Sequence, residues 1–450
     1  MKRVLVALAA LGLLSGCGLF HGKSKPKTPT VGQRISVLTS EAAIEVDPAL
    51  ADVPVTIPPA VTNPEWPQPG GNPSHAMVHV TIGSTLARAW SVQAGKGNTS
   101  RIRLSSPPVV GGGRIFVVDT MGDLRAFNAA DGRLVWRKQV GKLSGGMSLW
   151  SGEYTGNSGA IFGGGVSYDN GRVYATNGVG DVAAFDANTG APFWQVRPGS
   201  PLRGAPTVAN DNVYIISQDN QLYALSPADG TIRWQQSGSI ELAGVLGTAA
   251  PAAGQGTVVA GYSSGELTAY RYENGRVLWQ DVLARTSIST VVGTLSDIDA
   301  GPVIDNGRVI AIGQGGRMVA LELNTGQRVW EMNAAGISTP WVAGDWIFVV
   351  TDQGQLLAVS RANGHVRWMT QLRRYRDQKG KKDPIFWQGP MLAGDRLILT
   401  NSLGELVNVS VVDGSVQSTV ETKEKLSMSP IVADNTLYIL SNDGRLSAWR

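Results

Sequence analysis

The chain has 450 residues, with 39 Lys+Arg against 35 Asp+Glu and a net charge of +4. That balance excludes a dedicated nucleic-acid binder, which needs a strong basic field. Charged residues are only 16% and glycines number 56, so many short strands and tight turns are expected, not a helical bundle or a disordered chain. The single cysteine excludes an internal disulfide and a cysteine-cluster metal site. The four histidines (His21, His75, His79, His365) show no metal-ligand spacing.

Met1-Lys2-Arg3 is a short basic start, followed by an apolar run from Val4 to Leu14. The run is too short to span a bilayer, which takes about 20 residues. Charge followed by a short apolar stretch has the form of a secretory signal peptide, expected over residues 1–16. It ends in Leu14-Ser15-Gly16-Cys17, which resembles a bacterial lipobox. The resemblance implies cleavage before Cys17, a diacylglycerol on its thiol and an acylated amine. Two or more acyl chains hold a protein stably on a membrane without spanning it. Gly18 stands where an Asp would mark inner-membrane retention in enterobacteria, so the outer membrane is the expected address.

Residues 17–85 read as the lipidated Cys and a Pro-rich tether. Ten of the 23 prolines lie between Pro26 and Pro73, and no strand or helix period persists. Lys23, Lys25, Lys27 and Arg34 put positive charge near the lipid. A flexible chain of this length reaches about 45 Å. Trp66-Pro67-Gln68-Pro69-Gly70-Gly71-Asn72 differs in kind: a Trp beside a Pro-Gly turn suggests docking on the folded domain.

From residue 86 to residue 450 the chain repeats. Ala126, Gly132 and Trp136 recur as Ala184, Gly190 and Trp194, then as Ala224, Gly230 and Trp234. Ala269, Gly275 and Trp279 follow, then Ala320, Gly326 and Trp330, then Ala358, Gly364 and Trp368. A seventh copy, Asn408, Gly414 and Ser418, lacks both Ala and Trp. Each copy reads as four short strands parted by Asp-Asn and Asp-Gly hairpin turns. Four-stranded units of this length are blades of a β-propeller. The eighth copy, from Pro430 to Trp449, stops after three strands, and Leu86 to Val92, with Trp90, has the form of the missing fourth. An all-β, eight-bladed propeller closed by its N-terminal strand is therefore expected. Trp90, Trp136, Trp194, Trp234, Trp279, Trp330 and Trp368 are assigned to packing between blades.

The repeat resembles the tryptophan-docking motif of pyrroloquinoline quinone (PQQ) dehydrogenases. Lipobox, tether and one eight-bladed propeller together resemble the BamB family of lipoproteins in the outer-membrane β-barrel assembly machinery. Leu295-Ser296-Asp297-Ile298-Asp299-Ala300-Gly301-Pro302 is similar to a stretch typical of that family. The resemblance implies a non-enzymatic scaffold that binds a BamA-like barrel subunit, with unfolded outer-membrane proteins as further partners and no cofactor. The alternative is a periplasmic quinoprotein dehydrogenase. That chemistry takes a Ca²⁺ site of six to eight oxygens, and no carboxylate cluster outside the turns offers one. The adjacent cysteines and the haem motif of many such enzymes are also missing.

Loops on a rigid ring commonly carry function, and four stretches stand out. Residues 141–165 are an insertion with Trp150 and Tyr154, read as either a channel cap or a contact. Residues 239–247 carry Leu242, Val245 and Leu246, read as either core filler or a partner patch. Asp297 and Asp299 match acidic partner-binding positions of the family, the other reading being a turn cap. Arg373-Arg374-Tyr375-Arg376 with Lys379, Lys381 and Lys382 is a solvated loop or a contact for lipid phosphates or acidic protein.

Overall fold

The repeats form eight four-stranded antiparallel sheets. The structure, a computed structural model, describes residues 44–100, 102–141, 163–239, 247–283 and 296–450. The third blade shows the common plan: Thr207–Ala209, Asn212–Ile216, Gln221–Leu225 and Ile232–Ser237, paired in that order. The second and third strands are almost wholly buried, because both their faces meet neighbouring blades. The fourth strand alternates, with Trp234 buried between exposed neighbours.

Each Trp is paired across the sheet with the small residue of the repeat, as Ala126 with Trp136 and Ala224 with Trp234. The missing methylenes leave room for the indole to lie flat toward the next blade. There it covers the glycine of the next Asp-Gly-type turn: Trp136 covers Gly190, Trp194 covers Gly230 and Trp368 covers Gly414. Those glycines have φ near +70°, and a Cβ would strike the ring, so both their conformation and their lack of a side chain are used. The indole N–H also crosses to the next blade, Trp136 Nε1 donating to Ala187 O at 3.0 Å and Trp279 Nε1 to Leu323 O at 2.6 Å.

Closure follows the expected route. Arg88–Gln93 pairs antiparallel with Arg445–Trp449, and Trp90 stands opposite Ala448 and covers Gly132 of the first blade. This geometry also explains the degenerate seventh copy. The eighth blade's third and fourth strands come from distant parts of the chain, so no glycine turn joins them. A Trp at 418 would have nothing to cover. Ser418 instead accepts from Asn408 Nδ2 at 2.9 Å, and Arg396 Nε donates to Asn408 Oδ1 at 2.9 Å.

Residues 44–85, placed in the tether by composition, lie on the propeller. From Asn63 to Val80 they make one circuit of the channel, meeting the first, innermost strand of every blade in turn. Asn63 N–H donates to Val432 O of the eighth blade through Nδ2 at 2.6 Å. Trp66 exchanges backbone bonds with Val110 of the first blade at 2.9 and 2.8 Å, and Pro67 O accepts from Tyr168 N of the second. The Gln68 amide brackets Val208 of the third at 2.8 and 2.9 Å. Pro73 O and Ser74 O accept from Ala253 N and Ile304 N of the fourth and fifth, and Val78 O accepts from Trp341 Nε1 of the sixth. Val80 pairs with Leu392 and Gly394 of the seventh.

The innermost strand is one edge of its sheet, with unpaired backbone groups facing the channel. The strap satisfies those edges, and its own anchors are buried: Trp66, Gln68, His75, His79 and Val80. Trp66 stacks on Trp341 with ring centroids 6.2 Å apart. Gly70 and Gly71, both at positive φ, make the bend that turns the strap, and a Cβ on Gly71 would overlap Met77. Burial lowers the His75 pKa to about 4, so its ring is neutral, and Nδ1 lies 2.7 Å from Pro302 O.

Candidate partner-docking site

In a four-stranded antiparallel blade, the connector that enters the first strand and the turn between the second and third strands lie at the same end. The first-to-second and third-to-fourth turns lie at the other. The strap runs along the second end. The first end carries the described parts of the connectors singled out from sequence, Gly247, Asp297 and Asp299 among them.

Arg203, in the connector entering the third blade, is 2% exposed and is among the largest fully buried side chains. Its backbone is pinned by Arg203 N–H to Ile216 O at 2.9 Å. Its guanidinium reaches across the fourth blade to Asp299 Oδ1 at 3.1 Å and to Asp297 Oδ1 at 3.9 Å. Asp299 also accepts from the side-chain amide of Gln314, in the second-to-third turn of the fifth blade. Gly247, in the connector into the fourth blade, lies against this group. A Cβ there would overlap the Asp299 carboxylate. Ile298, between the two acids, is fully buried and donates its N–H to Tyr262 O at 3.1 Å. One cation thus joins the connectors entering three successive blades.

A guanidinium suits this place because it holds two carboxylates and stays charged when buried. The acids are costly without it. Burial pushes the Asp299 pKa up to about 6; the charge of Asp297 adds to this, and Arg203 opposes it. A carboxyl whose pKa is higher in the native than in the unfolded state favours folding at low pH. That contribution is lost as pH rises from about 4 through about 6. Wild type is expected to lose about 2–3 kcal/mol of stability through this group over that window. Asp299→Asn is expected to lack that fall, which thermal melts of the two proteins at pH 4.5 and 7.5 would compare.

The sites expected from sequence are distributed as follows. Asp297 and Asp299 are brought together, but with Arg203 and inside the connectors, so they are not a pair of exposed charges. Charge reversal at both would place three cations in one buried pocket and would not spare the fold. Leu242, Val245 and Leu246 lie outside the described residues, as do Cys17 and most of the 141–165 insertion. All seven tryptophans stand between blades. Sequence reading does not single out Arg203, because it lies in another repeat from the two acids. An Arg within Leu202-Arg203-Gly204-Ala205-Pro206, where the chain turns inward, was the available signal. Among the described residues, no group of three or more His, Cys, Asp or Glu is placed to hold a metal ion.

A family model described as outer membrane protein assembly factor BamB matches residues 83–154 and 142–370. The chain belongs to this family. Among its relatives, the BamB protein of Escherichia coli K12 is 27% identical over 362 residues, covering 80% of this chain and 88% of that one. The BamB protein of Yersinia pestis is 25% identical over 453 residues, covering 100% and 98%. The crystal structure of BamB from Moraxella catarrhalis superposes with a TM-score of 0.64 at 18% identity, covering 81% of this chain and all of that one. A quinohemoprotein alcohol dehydrogenase from Comamonas testosteroni reaches the same TM-score at 14% identity, covering 87% and 81%. At such identities the superpositions speak for the propeller and not for chemistry. The BamB family model begins at residue 83, so the strap circuit of Asn63–Val80 lies outside the matched region.

Proposed function

We propose that the protein is a lipid-anchored, non-enzymatic scaffold of outer-membrane protein assembly. It docks on a BamA-like barrel subunit through the connectors entering the fourth and fifth blades. The observation that carries this reading is the family match over residues 83–370, which includes those connectors. The buried Arg203–Asp297–Asp299 group supports it: it gives the connector end a fixed shape, as a docking surface requires. In this reading Asp297 and Asp299 are positioning residues, and Leu242, Val245 and Leu246 supply apolar contact. Unfolded outer-membrane proteins are the further clients, and no nucleic acid is involved.

Residues 1–16 are the signal peptide and Cys17 the anchor, which places the ring on the periplasmic face of the outer membrane. Cys17→Ala is expected to remove all lipid mass from the N-terminus and to leave the signal uncleaved. Intact-mass spectrometry of membrane-purified protein checks this. Co-purification from detergent-solubilised membranes tests the docking: recovery of a BamA-like subunit with wild type is expected, and its absence overturns the reading.

The dehydrogenase alternative needs a cofactor seated over the channel. The strap occupies the inner strand edges along one end of that channel, and the propeller likeness to dehydrogenases is one of fold. Protein soaked with PQQ and Ca²⁺ is expected to show no saturable binding and no dye-linked alcohol oxidation.

A further inference from the structure

The connector from the sixth to the seventh blade forms a hairpin outside the propeller plan. Strands Tyr375–Asp377 and Lys382–Pro384 pair only with each other. Its base is held by Ile385 N–H to Arg374 O at 2.8 Å and by Trp387 Nε1 to Arg373 O at 3.0 Å. From Arg373 to Pro384 it carries Arg373, Arg374, Arg376, Lys379, Lys381 and Lys382 against Asp377 and Asp383. The net charge of this short piece equals that of the whole chain. The blade uses little of it: Arg373 lies 4.0 Å from Glu405, and Arg374 donates to the side chain of Gln353. Arg376, Lys379, Lys381 and Lys382 are exposed and make no ion pair among the described residues. The Arg374 guanidinium lies 5.4 Å over the Tyr375 ring, and Phe386 just beyond is 60% exposed. Unpaired cations beside a half-buried Tyr375 and an exposed Phe386 match an anionic lipid surface, where headgroups neutralise the charge and the rings meet the interface.

A second observation says which surface is near. The outer strand of the sixth blade, Val366–Gln371, leads directly into this hairpin. The N-terminal end of the described chain lies on the same strand. Val46 bridges Val366, Asp47 N–H donates to Val366 O at 2.9 Å, and Asp47 pairs with His365 at 2.5 Å. Arg367 Nε donates to Val53 O at 2.8 Å. Only 26 residues lie between Cys17 and Ile44. A flexible chain of that length spans about 28 Å, comparable to the roughly 20 Å length of one outer strand. The N-terminal end of the described chain and the hairpin therefore share one blade edge.

We infer that the outer edge of the sixth blade faces the membrane and that the 375–384 hairpin contacts anionic phospholipid headgroups, so that the ring stands edge-on to the bilayer. This rests on the lipid-anchor reading. The test uses the lipidated full chain in phosphatidylethanolamine vesicles containing either phosphatidylglycerol or phosphatidylcholine. Cys17 is consumed by its thioether, so an introduced Gln378→Cys is the one free thiol for a fluorophore, with Ala191→Cys on the second blade as control.

A spin-labelled lipid is expected to quench the label at 378 and not at 191. Quenching should be stronger with phosphatidylglycerol, fall with salt, and vanish with K379E, K381E and K382E while the protein stays on the vesicle. Equal quenching at both positions, or no dependence on lipid charge, overturns the proposal. So does a label that stays in water while the same reversals strip an acidic protein from the purified assembly. If Cys17 carries no lipid mass, the anchor reading has failed by itself, and sedimentation then decides the hairpin. In that case the unlipidated chain must still bind phosphatidylglycerol vesicles over phosphatidylcholine, on the order of 100-fold more weakly after Lys379→Ala, Lys381→Ala and Lys382→Ala.

Discussion

Deleting the strand Arg88–Gln93 is expected to abolish the cooperative melting of the ring, beyond lowering its midpoint. The strand is the outer member of the eighth blade and is held by the full length of Arg445–Trp449. Its loss opens a sheet edge and takes away Trp90, which covers Gly132 of the first blade and packs on Tyr438. The seam between the first and last blades would then lack its tryptophan, and the neighbouring seam already lacks one at Ser418. Two adjacent weak seams leave only the strap's bonds to the inner strand edges across them. Trp66→Ala in the strap is the graded version. Truncating a buried Trp costs about 3–5 kcal/mol, and the backbone pairing with Val110 remains, so a cooperative melt at lower temperature is expected. Deleting residues 18–43, which read as tether, is expected to leave the melt unchanged. Calorimetry of the three variants separates these outcomes, and equal melts for all three would refute both closure and strap.

Arg203→Ala is expected to cost about 3–5 kcal/mol, because it leaves Asp297 and Asp299 buried without their cation. It is also expected to abolish co-purification of the barrel subunit. Adding Asp299→Asn to Arg203→Ala removes one uncompensated charge, and residues in one ion-pair network couple by about 0.5–3 kcal/mol. The double variant should therefore regain stability relative to Arg203→Ala. Its co-purification then distinguishes two ways of acting. If the group shapes the connectors, docking returns with stability. If the partner reads the Asp299 carboxylate directly, docking stays lost in the stable double variant. Denaturant melts alongside detergent pull-downs supply both readings.

The repeat was legible because each blade uses the same local chemistry. An Ala opposite a Trp and a glycine turn four residues before it are short-range features, and a one-dimensional reading finds them together in the first six copies. Closure was legible for a related reason: three strands at one end and one at the other can be counted. The meaning of Ser418 was not, since it depends on which turn lies beyond the ring seam. That is a contact between distant blades.

The strap and the ion-pair group show the limit most plainly. Composition marks residues 44–85 as Pro-rich and without period, which is also how a strap must look when it bonds to eight separate edges. Regular pairing partners would impose a regular pattern; eight different ones impose none. Only the Trp and the Gly-Gly bend announced it. Asp297 and Asp299 were visible as acids in a connector, yet whether they face a partner or an Arg turned on residue 203, nearly a hundred positions away and in a different repeat. By itself, then, the sequence determined the blade, the number of blades and the way the ring closes, because these follow from hydrophobic spacing and turn chemistry within some fifty residues. The tertiary structure alone decided which charges are interior, which sheet edges are satisfied, and which blade edge carries both the described N-terminal end and the basic hairpin. Those outcomes depend on which distant segments the closed ring brings within hydrogen-bonding distance.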